Sequence, residues 1–176
     1  MPIKAPDNLP ALETLHAEQV DVIPQELAAR QDIRPIKLLL LNLMPKKHDT
    51  EIQFARLFGN TPLQIEMILM TTASYTPRNT ELGYLRRFYR QLDDVRDEYF
   101  DALIVTGAPI ETLPFEEVNY WQELSEIMDW SRIHCFRRLG ICWGAQALLW
   151  HFFKVPKHQL DSKLFGVFDH GLSHIS

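Results

Sequence analysis

The sequence has little cysteine and no long apolar run. Its two cysteines, Cys135 and Cys142, lie at opposite ends of one predicted short strand, and an extended backbone holds such residues too far apart for a disulfide. No stretch approaches the roughly 20 apolar residues of a membrane-spanning helix. The first residues lack the charged-then-apolar pattern of a signal peptide. We therefore expect free thiols, a reducing compartment, a cytoplasmic location and no membrane partner.

An excess of positive charge is also missing. The chain carries 18 lysines and arginines against 23 aspartates and glutamates, a net charge of -5. The basic residues are scattered along the sequence, so the charge gives no argument for a nucleic-acid partner. The histidines are too dispersed for a metal site, and no glycine-rich loop could cradle a phosphate. We expect no nucleic acid, no metal and no resident cofactor.

The 176 residues, 46% of them hydrophobic, alternate between short apolar runs and amphipathic segments. The predicted strands are residues 36–43, 63–70, 100–106 and 136–141, and the predicted helices are residues 50–59, 81–94, 119–134 and 143–153. This alternation predicts an α/β fold with a doubly wound, mostly parallel sheet. Residues 1–35 are predicted to be an N-terminal arm on the surface of one α/β domain, residues 36–176. A last strand signal covers residues 164–168.

Two local patterns predict where helices begin. Residues 50–53 (TEIQ) match a capping box, and Asn119 with Gln122 forms a second predicted cap pair. Arg137 and Arg138 do not suit a strand buried on both faces, and the sequence alone does not explain them.

The most informative stretch is residues 138–147 (RLGICWGAQA), which indicates a strand, a sharp turn and a helix. Gly140 and Gly144 leave room for a tight turn around Cys142, as in a nucleophile elbow with sulfur in place of oxygen. A cysteine at the start of a helix is favoured as the thiolate. The alternative is a buried, unreactive cysteine, but the two glycines favour a nucleophile.

Two predicted loops reach the same sheet edge as Cys142, because the carboxyl ends of parallel strands lie together. One loop carries Lys46 and Lys47, for which a solvated and a substrate-facing role remain open. The other is residues 107–111 (GAPIE). A backbone amide of Gly107 or Ala108 is placed to face an oxyanion that forms above the thiol.

Several motifs carry a family resemblance. Residues 140–144 alone resemble the elbow of class I glutamine amidotransferases. Residues 41–47 (LNLMPKK), 101–109 (DALIVTGAP), 142–147 (CWGAQA) and 163–167 (KLFGV), in this order, resemble the homoserine O-acyltransferases of methionine biosynthesis. The resemblance implies a flavodoxin-like, class I glutamine amidotransferase-like fold and a ping-pong mechanism, in which a cysteine carries the acyl group from acyl-CoA to homoserine.

The resemblance also implies roles for individual residues. Cys142 matches the nucleophile, Lys163 a substrate-binding lysine and Lys47 a lysine beside the active site. The amide of Trp143, with that of Gly107 or Ala108, would hold the oxyanion.

Glu111 matches the position that separates donors in this family, where a carboxylate accompanies acetyl-CoA and a glycine succinyl-CoA. A carboxylate there repels the succinyl tail and fills its space. The expected reaction is acetyl transfer from acetyl-CoA to L-homoserine. Serine as the acceptor and succinyl-CoA as the donor stay open, as does a homodimer.

The resemblance places a general-base histidine, its glutamate partner and a carboxylate-binding arginine beyond Ser176. It therefore implies that this sequence lacks the family's carboxyl-terminal part, and we expect acylation of Cys142 without sustained turnover. The other two function classes are a glutaminase-type domain and a non-catalytic remnant.

Overall fold

A computed structural model describes residues 3–23, 25–28, 34–74, 80–162, 164–169 and 171. The strands are β1 (Ile3–Lys4), β2 (Val22–Ile23), β3 (Ile36–Leu41), β4 (Ile65–Met70), β5 (Tyr89–Arg90), β6 (Phe100–Val105) and β7 (Cys135–Gly140). The helices are α1 (Ala11–Ala17), α2 (Gln25–Ala28), α3 (Lys47–Gly59), α4 (Leu82–Phe88), α5 (Leu92–Val95), α6 (Trp121–His134) and α7 (Trp143–Phe153), with one 3-10 turn at Phe115–Glu117.

All described strand pairs are parallel, and they form one sheet in the order β2-β1-β4-β3-β6-β7, with β5 beside the carboxyl end of β4. The long strands β4, β3, β6 and β7 follow the flavodoxin-like order, in which the chain starts in the middle and winds in both directions. The α/β prediction is confirmed. Each predicted long strand is present, with its ends displaced by no more than two residues.

Alternate residues of β3 supply two separate cores, which explains why the strand is apolar throughout. Leu39 and Leu41 pack on one face with residues of α6 and α7, whereas Leu40 packs on the other face with residues of α1, α3 and α4. Successive side chains of a strand point to opposite faces. A strand covered on both sides therefore shows no polar alternation.

The amino-terminal segment differs from the predicted surface arm. Its strands β1 and β2 extend the sheet beyond β4, and Ile3, Leu9 and Leu15 are buried. A strand of two residues is too short to produce an alternating pattern, so no strand signal is visible there.

Two predicted helix starts are wrong. The helix α3 begins at Lys47, about one turn before the predicted capping box, and Thr50 Oγ1 donates to the Lys46 carbonyl instead of capping a new helix. The helix α6 begins at Trp121 without a side-chain cap. Its predicted inward face is confirmed, because Leu124, Ile127 and Met128 are buried.

The predicted helix 81–94 is divided into α4, β5 and α5. Tyr89 and Arg90 are extended and pair with the carboxyl end of β4. Gln91 and Asp94 then form a reciprocal capping box that starts α5. The apolar spacing continues through the break, so periodicity alone could not reveal it.

The strand β7 forms one edge of the described sheet. This position explains why the strand can contain Arg137 and Arg138. Residues 136–139 are exposed, Arg137 stacks on the Phe136 ring at 4.1 Å, and Arg138 donates to the Ser131 carbonyl at 3.0 Å. The strand predicted at residues 164–168 is absent, since described residues 164–169 contain no strand.

No helix in the described ranges has the length and apolar character needed to cross a bilayer.

Candidate active site

The turn between β7 and α7 holds Cys142 in a backbone conformation that L-residues rarely adopt. Its φ is 54° and its ψ is −122°. The turn is closed by the Gly144 amide, which donates to the Ile141 carbonyl at 3.0 Å, and by the Ala145 amide, which donates to the Cys142 carbonyl at 3.0 Å. Strained positive-φ residues cluster at functional sites, and this strand–turn–helix arrangement is that of a nucleophile elbow.

The two cysteines are both free, but their surroundings differ. Cys142 is exposed at the amino end of α7, whereas Cys135 is buried at the start of β7. Burial raises the pKa of the Cys135 thiol to about 12, with a smaller opposing effect from Arg138. Only Cys142 combines exposure with a helix amino terminus, where anions are stabilised.

The glycines on either side of the thiol are required by close packing. A Cβ atom on Gly140 would lie 2.5 Å from the Ala145 Cα, and one on Gly144 would lie 2.4 Å from the Val105 carbonyl oxygen. Both are backbone contacts that no side-chain rotation could relieve. The glycines therefore allow α7 to pack directly against β7 and the end of β6.

The loop after β6 adjoins the thiol, as the sequence predicted. A Cβ atom on Gly107 would lie 3.2 Å from Cβ and 3.5 Å from Sγ of Cys142. Among the described residues, no group accepts a hydrogen bond from the amide of Gly107 or Ala108. The amide of Trp143 is the first in α7, where helical amides have no partner within the helix. These amides are available to an oxyanion beside Cys142.

The Trp143 side chain packs the start of α7 into the core. It is fully buried, with ring centroids 5.9 Å from Phe115 and 6.3 Å from Tyr120. Its Nε1 atom has no hydrogen-bond partner in the described part of the chain. The packing fixes the first turn of α7, and with it the position of Cys142.

A cavity of about 410 Å³ adjoins the loop after β6. Ala108, Pro109 and Ile110 of this loop line it, and so does Lys47. The remaining lining residues are Asn42, Leu43, Pro45, Thr71, Thr72, Leu113, Glu117, Val118, Asn119 and Tyr120. Ala108 thus lines the cavity next to Gly107, which borders Cys142.

Lys47 is buried although it is a lysine. Its Nζ atom donates to the Asn42 carbonyl and lies 5.2 Å from the Tyr89 ring centroid. Burial lowers the pKa of Lys47 to about 8, and the nearby Glu51 carboxylate opposes that decrease. A solvated loop lysine would show neither feature, so Lys47 is not one, and its substrate-facing role stays a prediction.

Sequence reasoning missed the group beneath Lys47. Glu51 is fully buried, and the hydroxyls of Tyr84 and Tyr89 donate to its carboxylate at 2.6 and 2.5 Å. The predicted capping box relied on Thr50 and Gln53 and gave no role to Glu51 between them. The tyrosines are more than 30 residues away along the chain, so no local pattern could link them to Glu51.

Glu111 lies at the outer end of the loop and is exposed. Its backbone carbonyl accepts from Lys157 Nζ at 2.7 Å, and Lys157 also donates to the Leu113 carbonyl. Burial lowers the pKa of Lys157, and Glu111 opposes that effect. Lys157, which the sequence did not single out, thereby ties residues 154–162 to the loop. The predicted substrate-binding Lys163 lies outside the described residues.

Comparison with known proteins gives consistent matches over nearly the whole chain. A family model described as homoserine O-succinyltransferase matches residues 2–175. The homoserine O-acetyltransferases of Clostridium beijerinckii and Novosphingobium aromaticivorans are each 54% identical over 170 residues, which is 97% of this chain and 56% of each relative.

The homoserine O-acetyltransferase of Petrotoga mobilis is 50% identical over 173 residues, covering 98% of this chain and 56% of its own length. The chain therefore spans about half the length of the curated relatives it matches.

Proposed function

Since the chain belongs to the homoserine O-succinyltransferase family, we propose that it carries the acyl-accepting half of a homoserine O-acetyltransferase, an enzyme of methionine biosynthesis. Cys142 is the proposed nucleophile, acetyl-CoA the acyl donor and L-homoserine the acceptor. The observation that carries the proposal is the elbow geometry of Cys142, an exposed thiol with φ of 54° at the start of α7.

In the first half-reaction, the Cys142 thiolate attacks the carbonyl carbon of the acetyl thioester. The carbonyl oxygen becomes an oxyanion, which the amides of Trp143 and of Gly107 or Ala108 are available to stabilise. The carbon–sulfur bond to CoA then breaks, and CoA leaves as a thiolate that takes a proton from solvent. The acetyl group remains on Cys142 as a thioester.

In the second half-reaction, the homoserine hydroxyl attacks this thioester and gives its proton to a general base. The bond to Cys142 Sγ breaks, and O-acetylhomoserine and a free thiolate are released. The family resemblance places that base beyond Ser176. Serine remains an alternative acceptor, because one methylene is discriminated by only about 10- to 200-fold.

Two features support acetyl over succinyl as the transferred group. Glu111 supplies a carboxylate on the loop next to the site, and such a charge disfavours a second carboxylate on the acyl chain. The relatives at 50 to 54% identity are named homoserine O-acetyltransferases. We further propose a cytoplasmic location, no metal or resident cofactor, and acetyl-CoA as a co-substrate.

Intact-mass measurement after incubation with acetyl-CoA tests the nucleophile. We expect one acetyl group per chain in the parent and in Cys135→Ala, and none in Cys142→Ala. CoA release with homoserine should stop after about one equivalent per chain. Acetylation that persists in Cys142→Ala would reject the nucleophile, whereas sustained turnover would put the general base within these 176 residues.

Competition between acetyl-CoA and succinyl-CoA tests the donor. The parent should form the acetyl adduct faster, and Glu111→Gly should shift the ratio toward succinyl. Glu116→Gly is a suitable control, because it removes a carboxylate from the following 3-10 turn, where Glu116 accepts from Trp150 Nε1. A faster succinyl adduct in the parent would contradict the donor assignment.

A further inference from the structure

A buried acidic network lies directly beneath the cavity that Lys47 lines. The Glu51 carboxylate and the Lys47 ammonium are four residues apart on α3, and their residues are only 0% and 4% exposed. A buried charge needs a partner, because removing it from water is costly. The proposed mechanism so far gives no role to either Lys47 or Glu51.

Each oxygen of Glu51 is held by a different element. Tyr89 on β5 donates to Oε1 at 2.5 Å, and Tyr84 on α4 donates to Oε2 at 2.6 Å. The Tyr89 hydroxyl also accepts from Asn42 Nδ2 at 2.9 Å. The pKa of each tyrosine is raised by burial and by the Glu51 charge. The hydroxyls therefore stay protonated as donors, and the carboxylate is fixed in place.

The same network acts on the Lys47 ammonium in two ways, through a hydrogen bond and through the charge of Glu51. Asn42 donates to Tyr89 through its side chain and accepts from Lys47 Nζ through its carbonyl. Glu51 supports the positive charge of Lys47 against the effect of burial. Lys47 is thus held as a cation in the wall of the cavity that residues 108–110 also line, and the preceding residue Gly107 borders Cys142.

We propose that Glu51 is a positioning residue for acyl transfer. Anchored by Tyr84 and Tyr89, its carboxylate keeps the Lys47 ammonium charged, and the hydrogen-bonded chain from Glu51 through Tyr89 and Asn42 holds the ammonium in the cavity wall. There the ammonium stabilises negative charge carried or developed by the acyl substrate. The inference rests on the proposed acyl-transfer function and adds to it the group that controls the state of Lys47.

The titration of Lys47 depends on all groups around it. The network contributes Glu51 and His48 on α3, Tyr89 on β5 and, through Glu51, Tyr84 on α4. The other charged groups are those that line a cavity with Lys47, namely Glu117 in the first cavity and Lys46, Asp49 and Glu81 in a second. His48 Nδ1 lies 3.8 Å from Glu51 Oε2 and carries charge only when protonated. Glu51 is the buried carboxylate among them, so its substitution should have the largest effect on the pKa of Lys47.

The variant Glu51→Gln tests the charge directly, because it retains the shape of the side chain. Removing a buried opposite charge four residues away on the same helix is expected to lower the pKa of Lys47 by about 1 unit or more. NMR titration of isotopically methylated lysines measures this pKa, with the Lys47 signal assigned from its loss in Lys47→Met. An unchanged pKa of Lys47 in Glu51→Gln would overturn the inference.

The pH profile of Cys142 acetylation gives the functional readout. If the pKa of Lys47 decreases by one unit from about 8, the rate of Cys142 acetylation at pH 6 is nearly unchanged. The rate falls about twofold at pH 7 and about fivefold at pH 8. The rate falls more at higher pH because acylation is proposed to need the charged form of Lys47. A lower pKa of Lys47 moves the loss of that charge to lower pH. A uniform loss at every pH would instead indicate structural damage and reject the positioning role.

The variant Glu66→Gln is the matched control. Glu66 also pairs with a lysine, Lys4 at 2.8 Å, but on the β1–β4 pair at the far side of the sheet. It should leave both the pKa of Lys47 and the pH profile unchanged. Equal effects in the two variants would contradict a specific role for Glu51.

The double variant Lys47→Met/Glu51→Gln keeps the inference testable if Glu51→Gln does not fold, since it leaves no buried charge unpaired. It should acetylate as slowly as Lys47→Met alone, because Glu51 acts through Lys47. A further loss of tenfold or more would overturn the inference. If the parent forms no acetyl-enzyme at all, the proposed function fails, while the NMR titration still decides whether Glu51 controls Lys47.

Discussion

At the scale of the residue, the two thiols differ in exposure, and we expect them to differ in reactivity for that reason. Both are free, and six residues of strand and turn lie between them. Cys142 combines exposure, a strained backbone and the amino end of α7. Cys135 lies in the core, where burial raises its pKa to about 12. Their difference can be measured without any substrate.

We expect iodoacetamide to label Cys142 well before Cys135 at pH 7 to 8. The thiolate is the reacting species, and Cys135 becomes largely ionised only toward pH 12. Peptide mapping after short exposures over a pH series measures both rates. In denaturant the two should react at similar rates, which serves as the control. Faster labelling of Cys135 in the folded protein would contradict the elbow assignment.

The sequence predicted some residues of the site and could not predict others. Cys142 and its flanking glycines are consecutive, so a local motif identifies them, and Gly107 follows a strand whose carboxyl end had to reach the same edge. Glu51 carried no local signal. Its true partners, Tyr84 and Tyr89, are brought to it by the pairing of β5 with β4, which no local pattern contains.

At the scale of the element, the close packing of α7 against the sheet depends on glycine, which has no side chain. Gly144 allows the first turn of α7 to approach the carbonyls of Val105 and Thr106 at the end of β6. Gly83 on α4 is a natural comparison, because a Cβ atom there would meet nothing within 4 Å. The same substitution should therefore have opposite effects at the two positions.

We expect Gly144→Ala to destabilise the fold by about 1–3 kcal/mol, since backbone atoms must move to accept the methyl group. Gly83→Ala should stabilise it by about 0.5–1 kcal/mol, because alanine loses less backbone entropy in a helix. Urea unfolding monitored by circular dichroism measures both. A neutral Gly144→Ala would mean that α7 can move away from β6 at little cost.

Strand prediction succeeded for the strands of six residues and failed for the strands of two residues. The runs of β3, β4 and β6 are apolar on both faces, and that pattern is visible in the sequence. The strands β1, β2 and β5 contain two residues each. Such strands are defined by their neighbours in the sheet rather than by their own composition, as the misassigned helix 81–94 shows.

At the scale of the whole molecule, the apolar surface is unevenly distributed. Many exposed large apolar side chains belong to β7, α7 and the segment after α7. The set is Phe136, Leu139, Ile141, Leu149, Phe153, Val155, Leu160, Leu164, Phe165, Val167 and Phe168. An exposed edge strand next to such a surface favours association with another chain.

We expect the 176-residue chain to associate with itself through this surface, in line with the homodimer left open by the sequence. Phe136→Lys should weaken association, because Phe136 is 71% exposed on the edge strand. Leu57→Lys is the control, since Leu57 is 70% exposed on α3 and outside the surface. Light scattering over a concentration series measures both. A monomer at high concentration, or equal effects of the two variants, would reject this expectation.

The backbone of Cys142 implies that a reactive thiol at this turn lowers the stability of the fold. A positive φ with ψ of −122° costs an L-residue on the order of 1–3 kcal/mol, and glycine avoids most of that cost. Cys142→Gly should therefore withstand more urea than Cys142→Ala, which keeps the strained Cβ. If the two variants unfold at the same concentration, the turn carries no strain. If they differ as expected, the thiol lowers the stability of the fold at a position where glycine would raise it, and the proposed role of Cys142 as a nucleophile is the compensating gain.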